Sequence, residues 1–301
     1  MIITVYGTLF TSPAHVLINP VNTHGSMASG LSQKFKAIFP PMFEQYRALC
    51  ESDGFNIGQL LLYRNAEKWV LNFPIKRHPN AKATLETIEK GLLKFVSIYA
   101  DLHIGSVSFP TLGAGDGLAQ DDVLALLEGY LRPLPITAYL HVNDDPFAVP
   151  LRADTLAKRL NGQLEHVTFE AFWRNIVALA RKSPQMTTYE ENPQTFHVAP
   201  REEGHRRLSL SLTPEGDETH FLPQSILRDL WQYVRTTGYS LPQNLPNGLD
   251  QVGACVVSLL AKLESFRPIY LQADGGQKVV GLHYVPPVGK PRTRRKAFDA
   301  S

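Results

Sequence analysis

The sequence predicts an α/β fold: a three-layer α/β/α domain with a mixed sheet over residues 1–150, followed by a smaller α+β C-terminal module over residues 186–290. Three observations predict it. Short apolar, β-branched runs alternate with amphipathic helical patterns through the first half. Loops rich in Gly, Pro, Asn and Asp punctuate the transitions. From about Thr187 that alternation gives way to grouped strands with two helices.

In chain order, the strand-like runs of the first half are Ile2–Tyr6, His15–Asn19, Gln59–Arg64, Lys68–Phe73, Gly105–Phe109 and Ile136–Val142. Gln59–Arg64 and Lys68–Phe73, joined by Asn65-Ala-Glu, read as an antiparallel hairpin. Leu31, Phe35 and Ile38 mark one helix, and Phe43, Tyr46 and Leu49 a second. Leu85, Ile88, Leu92, Phe95 and Tyr99 recur at three- and four-residue steps and mark a third, with Asn80 as its candidate cap. A fourth is expected over Asp121–Leu131. Residues 151–185 read as a helical connector, with helical patterns at Thr155–Leu160 and Thr168–Arg181. The latter carries Phe169, Phe172, Trp173, Ile176 and Leu179 on a face that must be buried. Thr195–Val198, Arg207–Leu212, Ile269–Ala273 and Lys278–Tyr284 read as strands, and Ser225–Thr237 and Leu249–Leu263 as helices. Residues 291–301 belong to a basic, proline-interrupted tail that reads as a solvated end.

Composition narrows the function classes. The 301 residues carry 30 Lys and Arg against 28 Asp and Glu, so nothing global demands nucleic acid or an acidic membrane. Cys50 and Cys255 are the only cysteines and lie in different halves, which argues against a disulfide framework and for a reducing compartment. The first residues read as a strand, not a signal peptide, and no apolar run is long enough to span a bilayer. A cytoplasmic protein with no membrane partner is expected. The Cys and His spacing predicts no metal site, there is no GxSxG elbow, and no cofactor is expected.

Three loops at strand ends carry the chemistry. The stretch Asn19–Pro40 runs from a strand, through Gly25, Ser26, Met27, Ala28, Ser29 and Gly30, into a helix beginning near Leu31. Strand, small-residue loop and helix N-terminus in that order suit a phosphate, because backbone N–H groups are free there and small residues let a ligand approach. A tight turn with no ligand explains the same spacing. The second loop, Asn72-Phe-Pro-Ile-Lys-Arg-His78, offers Lys76 as a charge or an amine nucleophile. The third, Ser108–Gly117, holds Thr111, Leu112, Gly113, Ala114, Gly115, Asp116 and Gly117. Asp116 can be a general acid or base, a ribose hydroxyl acceptor, or simply a turn residue. His24 and His78 are the histidines nearest the proposed ligand, with a surface role as the plainer reading. In open α/β sheets ligands bind beyond the carboxyl ends of strands, so the three loops are expected to converge on one cleft.

With these segments together, the first half resembles a macrodomain, and within that family the DarG type, which removes ADP-ribose from thymidine in DNA. Val21–Pro40, Asn72–Leu92 and Phe109–Gly117 carry the resemblance, the middle segment through its Asn-Phe-Pro-x-Lys-x-His pattern. The resemblance implies an ADP-ribose cleft, with ADP-ribosylated DNA as substrate and a DarT-like ADP-ribosyltransferase toxin as partner. It implies that Asn22 meets the distal ribose, that Gly25–Gly30 and Gly113–Gly115 hold the diphosphate, and that hydrolysis depends on Lys76. Lys76 then either traps the ring-opened sugar or orients the ribose. Asn19, His24, Met27, Leu31, His78, Thr111, Leu112 and Gly117 are expected around the ligand, and Asp116 beside Asn22 and Lys76 in catalysis. The chain departs from the family in three places. Thr8 stands where most members have the Asp that recognises adenine, the second glycine loop is shortened to Gly115–Gln120, and His24 and Ser26 replace small or apolar residues. A hydrolase and a non-catalytic ADP-ribose reader both follow from the resemblance, the reader coupled to a C-terminal module that binds a partner or nucleic acid.

Overall fold

The computed structural model describes residues 1–66, 68–142, 167–190, 192–201, 206–212, 219–242, 245, 249, 252–272 and 278–287. The first half runs β1 (Ile2–Tyr6), β2 (Val16–Asn22), α1 (Gly30–Ile38), α2 (Pro40–Glu51), β3 (Leu61–Tyr63), β4 (Trp69–Lys76), α3 (Leu85–Ile98), β5 (Ser106–Pro110), α4 (Gln120–Leu131) and β6 (Thr137–Val142). The second half contributes α5 (Phe169–Lys182), β7 (Gln185–Thr187), β8 (Thr195–Arg201), β9 (Arg207–Ser211), β10 (Thr219–Pro223), α6 (Gln224–Thr237), β11 (Tyr239–Ser240), α7 (Gly253–Leu260), β12 (Phe266–Gln272) and β13 (Lys278–Tyr284). Short 3₁₀ turns sit at Leu9–Thr11 and Ala114–Asp116.

The main sheet has nine strands in the order β11-β13-β12-β1-β6-β5-β2-β4-β3. The five central strands, β1, β6, β5, β2 and β4, run parallel, so their carboxyl ends share one edge. Antiparallel strands flank them, β3 beside β4 as the hairpin pattern predicts, and β12 beside β1. The sheet is therefore mixed.

Side chains alternate between its two faces. Val16, Ile18, Leu71, Phe73 and Ile75 meet Ile88, Leu92 and Phe95 of α3 and Val123 and Leu127 of α4. Leu17, Val21 and Val70 meet Phe35 and Ile38 of α1 and Met42 and Tyr46 of α2 on the other side. Three layers result. Gly91 shows how close they pack, since a β-carbon there would stand 2.2 Å from the Phe73 ring. A glycine in mid-helix costs roughly 0.5–1 kcal/mol relative to alanine, which this approach offsets. The N-cap of α3 is Thr84, in a capping box with Thr87, not Asn80. A box starts at the residue whose side chain reaches the N3 backbone N–H, and Asn80 is too far upstream to do so.

The second half forms a smaller four-stranded antiparallel sheet, β10-β9-β8-β7, with helices against it. Phe172 and Ile176 of α5, Leu227 and Trp231 of α6 and Val256 of α7 share its core with Phe266 and Leu282 of β12 and β13. The helix Phe169–Lys182, expected within a connector, thus packs into this core. Within residues 186–290, β11, β12 and β13 belong to the main sheet, and Thr4–Tyr6 pairs with Tyr270–Gln272. The expected helix Thr155–Leu160 and the basic tail lie outside the described residues. No helix among the described residues is long and apolar enough to cross a membrane.

Candidate functional site

A cleft of about 620 Å³ crosses the carboxyl edge of the five parallel strands. Gly7 and Thr8 after β1 line one end, and Lys76 at the end of β4 lines the other. Between them stand Asn22 from β2, Pro110 and Thr111 from the end of β5, and His141 from β6. Val21, Leu9, Phe10 and Ile75 supply the apolar part of the lining.

The two small-residue loops face this cleft. Ser26, Ala28, Ser29, Gly30 and Leu31 line it from the first, and Gly113, Ala114, Gly115 and Asp116 from the second. Helix α1 opens with no side-chain cap on Ser29 and no acidic residue in its first turn. Its first N–H groups and positive dipole end thus remain available to an anion. Lys34, one turn into α1, also lines the cleft and adds a cation. Gly113 has φ +72°, and a β-carbon there would come within 2.5 Å of Leu118 Cδ1, so glycine alone suits the turn.

Lys76 and Asp116 form the one charged pair on the cleft wall among the described residues. Lys76 Nζ donates to Asp116 Oδ1 at 2.7 Å, with the side chains 20% and 15% exposed. The loop after β5 thus delivers a carboxylate to the end of β4, across 40 residues of sequence. Asn22 is the structural hub of the first loop. Its Oδ1 accepts from the backbone N–H of His24 at 2.9 Å and of Ser26 at 3.2 Å, and its Nδ2 donates to the Ser26 carbonyl at 2.7 Å. The Tyr46 hydroxyl lies 2.7 Å from the Asn22 carbonyl oxygen and 3.1 Å from Oδ1, one proton serving both. Burial holds that phenol well above its ordinary range, so it remains a donor.

The family-model match follows this geometry. The Macro domain model matches residues 18–125, which run from within β2 to halfway through α4 and contain all three loops. Residues 18–125 belong to the macro domain family. The chain is 34% identical over 117 residues to a DNA ADP-ribosyl glycohydrolase of Thermus aquaticus, covering 38% of this chain and 32% of that protein. It is 33% identical over 134 residues to a protein of the same name from Mycobacterium tuberculosis, covering 43% and 38%. A DNA ADP-ribosyl transferase–DNA ADP-ribosyl glycohydrolase fusion protein of Thermosipho africanus is 30% identical over 158 residues, covering 46% and 41%. The chain thus spans 32% to 41% of the length of these curated relatives. Among solved structures, the macrodomain of Thermus aquaticus DarG is 30% identical, with a TM-score of 0.46, covering 47% of this chain and 98% of that one.

Several residues expected around the ligand stand away from the macro domain cleft. Asn19 is fully buried beneath it, donating to Asn72 Oδ1 at 2.8 Å. Met27 and Leu112 are buried, and Gly117 lies outside the lining. His24, Gly25, Met27 and His78 border a neighbouring depression instead. These placements follow from the pleat and the turn: alternate residues of one loop cannot all face one cavity.

His141, like Lys34, is a cleft residue that sequence reasoning passed over. It is buried, with Nδ1 3.1 Å from the Gly7 carbonyl oxygen and Nε2 3.2 Å from Ser108 Oγ, which is hydrogen-bonded to Ser12. Burial lowers its pKa to about 4, against the raising effect of the Gly7 carbonyl. A polar residue within the apolar β6 pattern was the available signal. The β1–β2 segment that carries Thr8 is also held from the second half. His283 Nε2 lies 3.0 Å from the Thr11 carbonyl oxygen. Gly238 abuts Pro13 so closely that a β-carbon would stand 2.5 Å from the proline ring. Among the described residues no group of three His, Cys, Asp or Glu is placed to hold a metal ion.

Proposed function

We propose that this protein is an ADP-ribosyl hydrolase that releases ADP-ribose from thymidine in DNA, acting as antitoxin to a DarT-like ADP-ribosyltransferase. The observation that carries the reading is the Lys76–Asp116 pair in a cleft bounded by two small-residue loops. The names of the relatives support the substrate, and the fusion protein supports the partner. In this reading the adenosine end lies toward Thr8, the diphosphate between the α1 N-terminus and Gly113–Gly115, and the distal ribose beside Asn22 and Lys76. Backbone N–H groups and the helix end bind the diphosphate without a metal.

Hydrolysis breaks the bond between the ribose anomeric carbon and the thymidine base through a cation-like state. The Asp116 carboxylate offsets that positive charge and takes a proton from the attacking water, whose oxygen bonds to the anomeric carbon while the thymidine nitrogen leaves with the bonding pair and receives that proton. Lys76 holds the carboxylate in position and donates to the ribose. Fixing the diphosphate and adenosine supplies the binding energy that aligns the reacting end. With thymidine-ADP-ribosylated single-stranded DNA, wild type should release ADP-ribose about a hundredfold faster than Lys76→Ala, the loss typical of removing one charge-stabilising group. Equal rates would sink the proposal.

One observation favours a second reading. The second glycine loop is shortened to Gly115–Gln120, which suits a binding module that holds ADP-ribose without cleaving it. Tight binding of ADP-ribose in calorimetry, with no turnover of a DNA or protein linkage, would select that reading.

A further inference from the structure

Beyond the Asn22 and Lys76 end of the cleft lies a second, shallower depression of about 520 Å³, lined by His24, Lys36, Phe43 and His78 among others. It shares Ser26, Ala28 and Pro79 with the cleft, so the two meet at one rim. The His24 and His78 rings lie 4.6 Å apart, and both residues are exposed. His78 is oriented by the backbone N–H of Asn80, which donates to its Nδ1 at 3.3 Å. Lys36 Nζ stands 4.0 Å over the Phe43 ring. Among the described residues no Asp or Glu lines the depression.

We propose that this shelf binds the single strand of DNA to which the ADP-ribose is attached. The inference rests on the reading of the cleft as an ADP-ribose site. The scissile bond is at the anomeric carbon of the distal ribose, beside Asn22 and Lys76. Whatever is bonded to that carbon leaves the cleft at that end, because the other end is taken by adenosine. The way out crosses the Ser26, Ala28 and Pro79 rim onto the two imidazoles. Imidazole faces stack on an unpaired base, and a lysine at the border meets the neighbouring phosphate. A lining without carboxylates matches a polyanion.

The test uses the full chain, with labelled oligothymidine followed by fluorescence anisotropy and free ADP-ribose followed by calorimetry. The double variant His24→Ala/His78→Ala should bind oligothymidine about tenfold more weakly, the loss of one stacked base. Its affinity for ADP-ribose should stay within about twofold of wild type, which also shows that the variant is folded. Lys36→Gln should flatten the salt dependence of oligothymidine binding by about one phosphate contact. Equal oligothymidine affinity in wild type and double variant, or no binding by wild type, overturns the shelf. A wild type that fails to bind ADP-ribose overturns the reading of the cleft, and the oligothymidine arm still decides the shelf by itself.

Discussion

Replacing Asn22 by alanine separates a residue that builds the cleft from one that touches the ligand. The residue is only 6% exposed, and its side chain joins three backbone groups, the N–H of His24, the N–H of Ser26 and the carbonyl of Ser26. Tyr46 keeps its stronger partner, the Asn22 carbonyl at 2.7 Å, so its hydroxyl adds nothing to the loss. Each of the other three bonds is worth about 0.5–1.5 kcal/mol net, and their partners are only part-buried, so water recovers some of it. The expected destabilisation is therefore about 1.5–4 kcal/mol. Urea unfolding should show it as a lower midpoint with an unchanged slope. ADP-ribose affinity should fall in parallel, because loop 23–26 loses its fixed shape. A stability loss under about 0.5 kcal/mol would refute the assignment of Asn22 as the loop's hub. If ligand binding nevertheless vanished, Asn22 would be a contact residue and not a scaffold.

Two further outcomes test other parts of the site. His141 has a folded pKa of about 4 against an ordinary 6.5, so the unfolded chain takes up the proton first. Its contribution is fully present above pH 6.5 and is lost as the pH falls toward 4, about 3 kcal/mol in all; His141→Gln should flatten the stability profile across that window, and an unchanged slope in denaturant titrations would exclude the mechanism. His283→Ala should weaken ADP-ribose binding several-fold while the protein stays folded, because the Thr8–Pro13 segment loses its tie at Thr11; His283→Gln should restore part of the affinity, and calorimetry showing no change would mean that the second half does not brace the cleft.

The sequence by itself determined the local structure and the identity of the site loops. Strand and helix patterns in the first half depend on neighbours within a few residues, so β1, α3 and α4 were legible within a residue or so at most ends. The small-residue loops and Lys76 were legible for the same reason, since a loop between strand and helix is a local signal. The very short strands β7 and β11 carried too few residues to show a period, and β10, with a single buried residue, carried no apolar alternation. Tertiary structure alone decided what long-range pairing decides. Parallel strands carry no mark of their neighbours, and only the sheet order aligns Asn22, Thr111, His141 and Thr8 along one edge. Pairing of β1 with β12, from opposite ends of the chain, joins the second half to the macro domain sheet. Pleat and turn direction then buried Asn19 and sent His24 and His78 over the rim. The same folding brought Asp116 to Lys76, because an ion pair across two strand ends depends on where those strands stand and not on how far apart their residues lie in sequence.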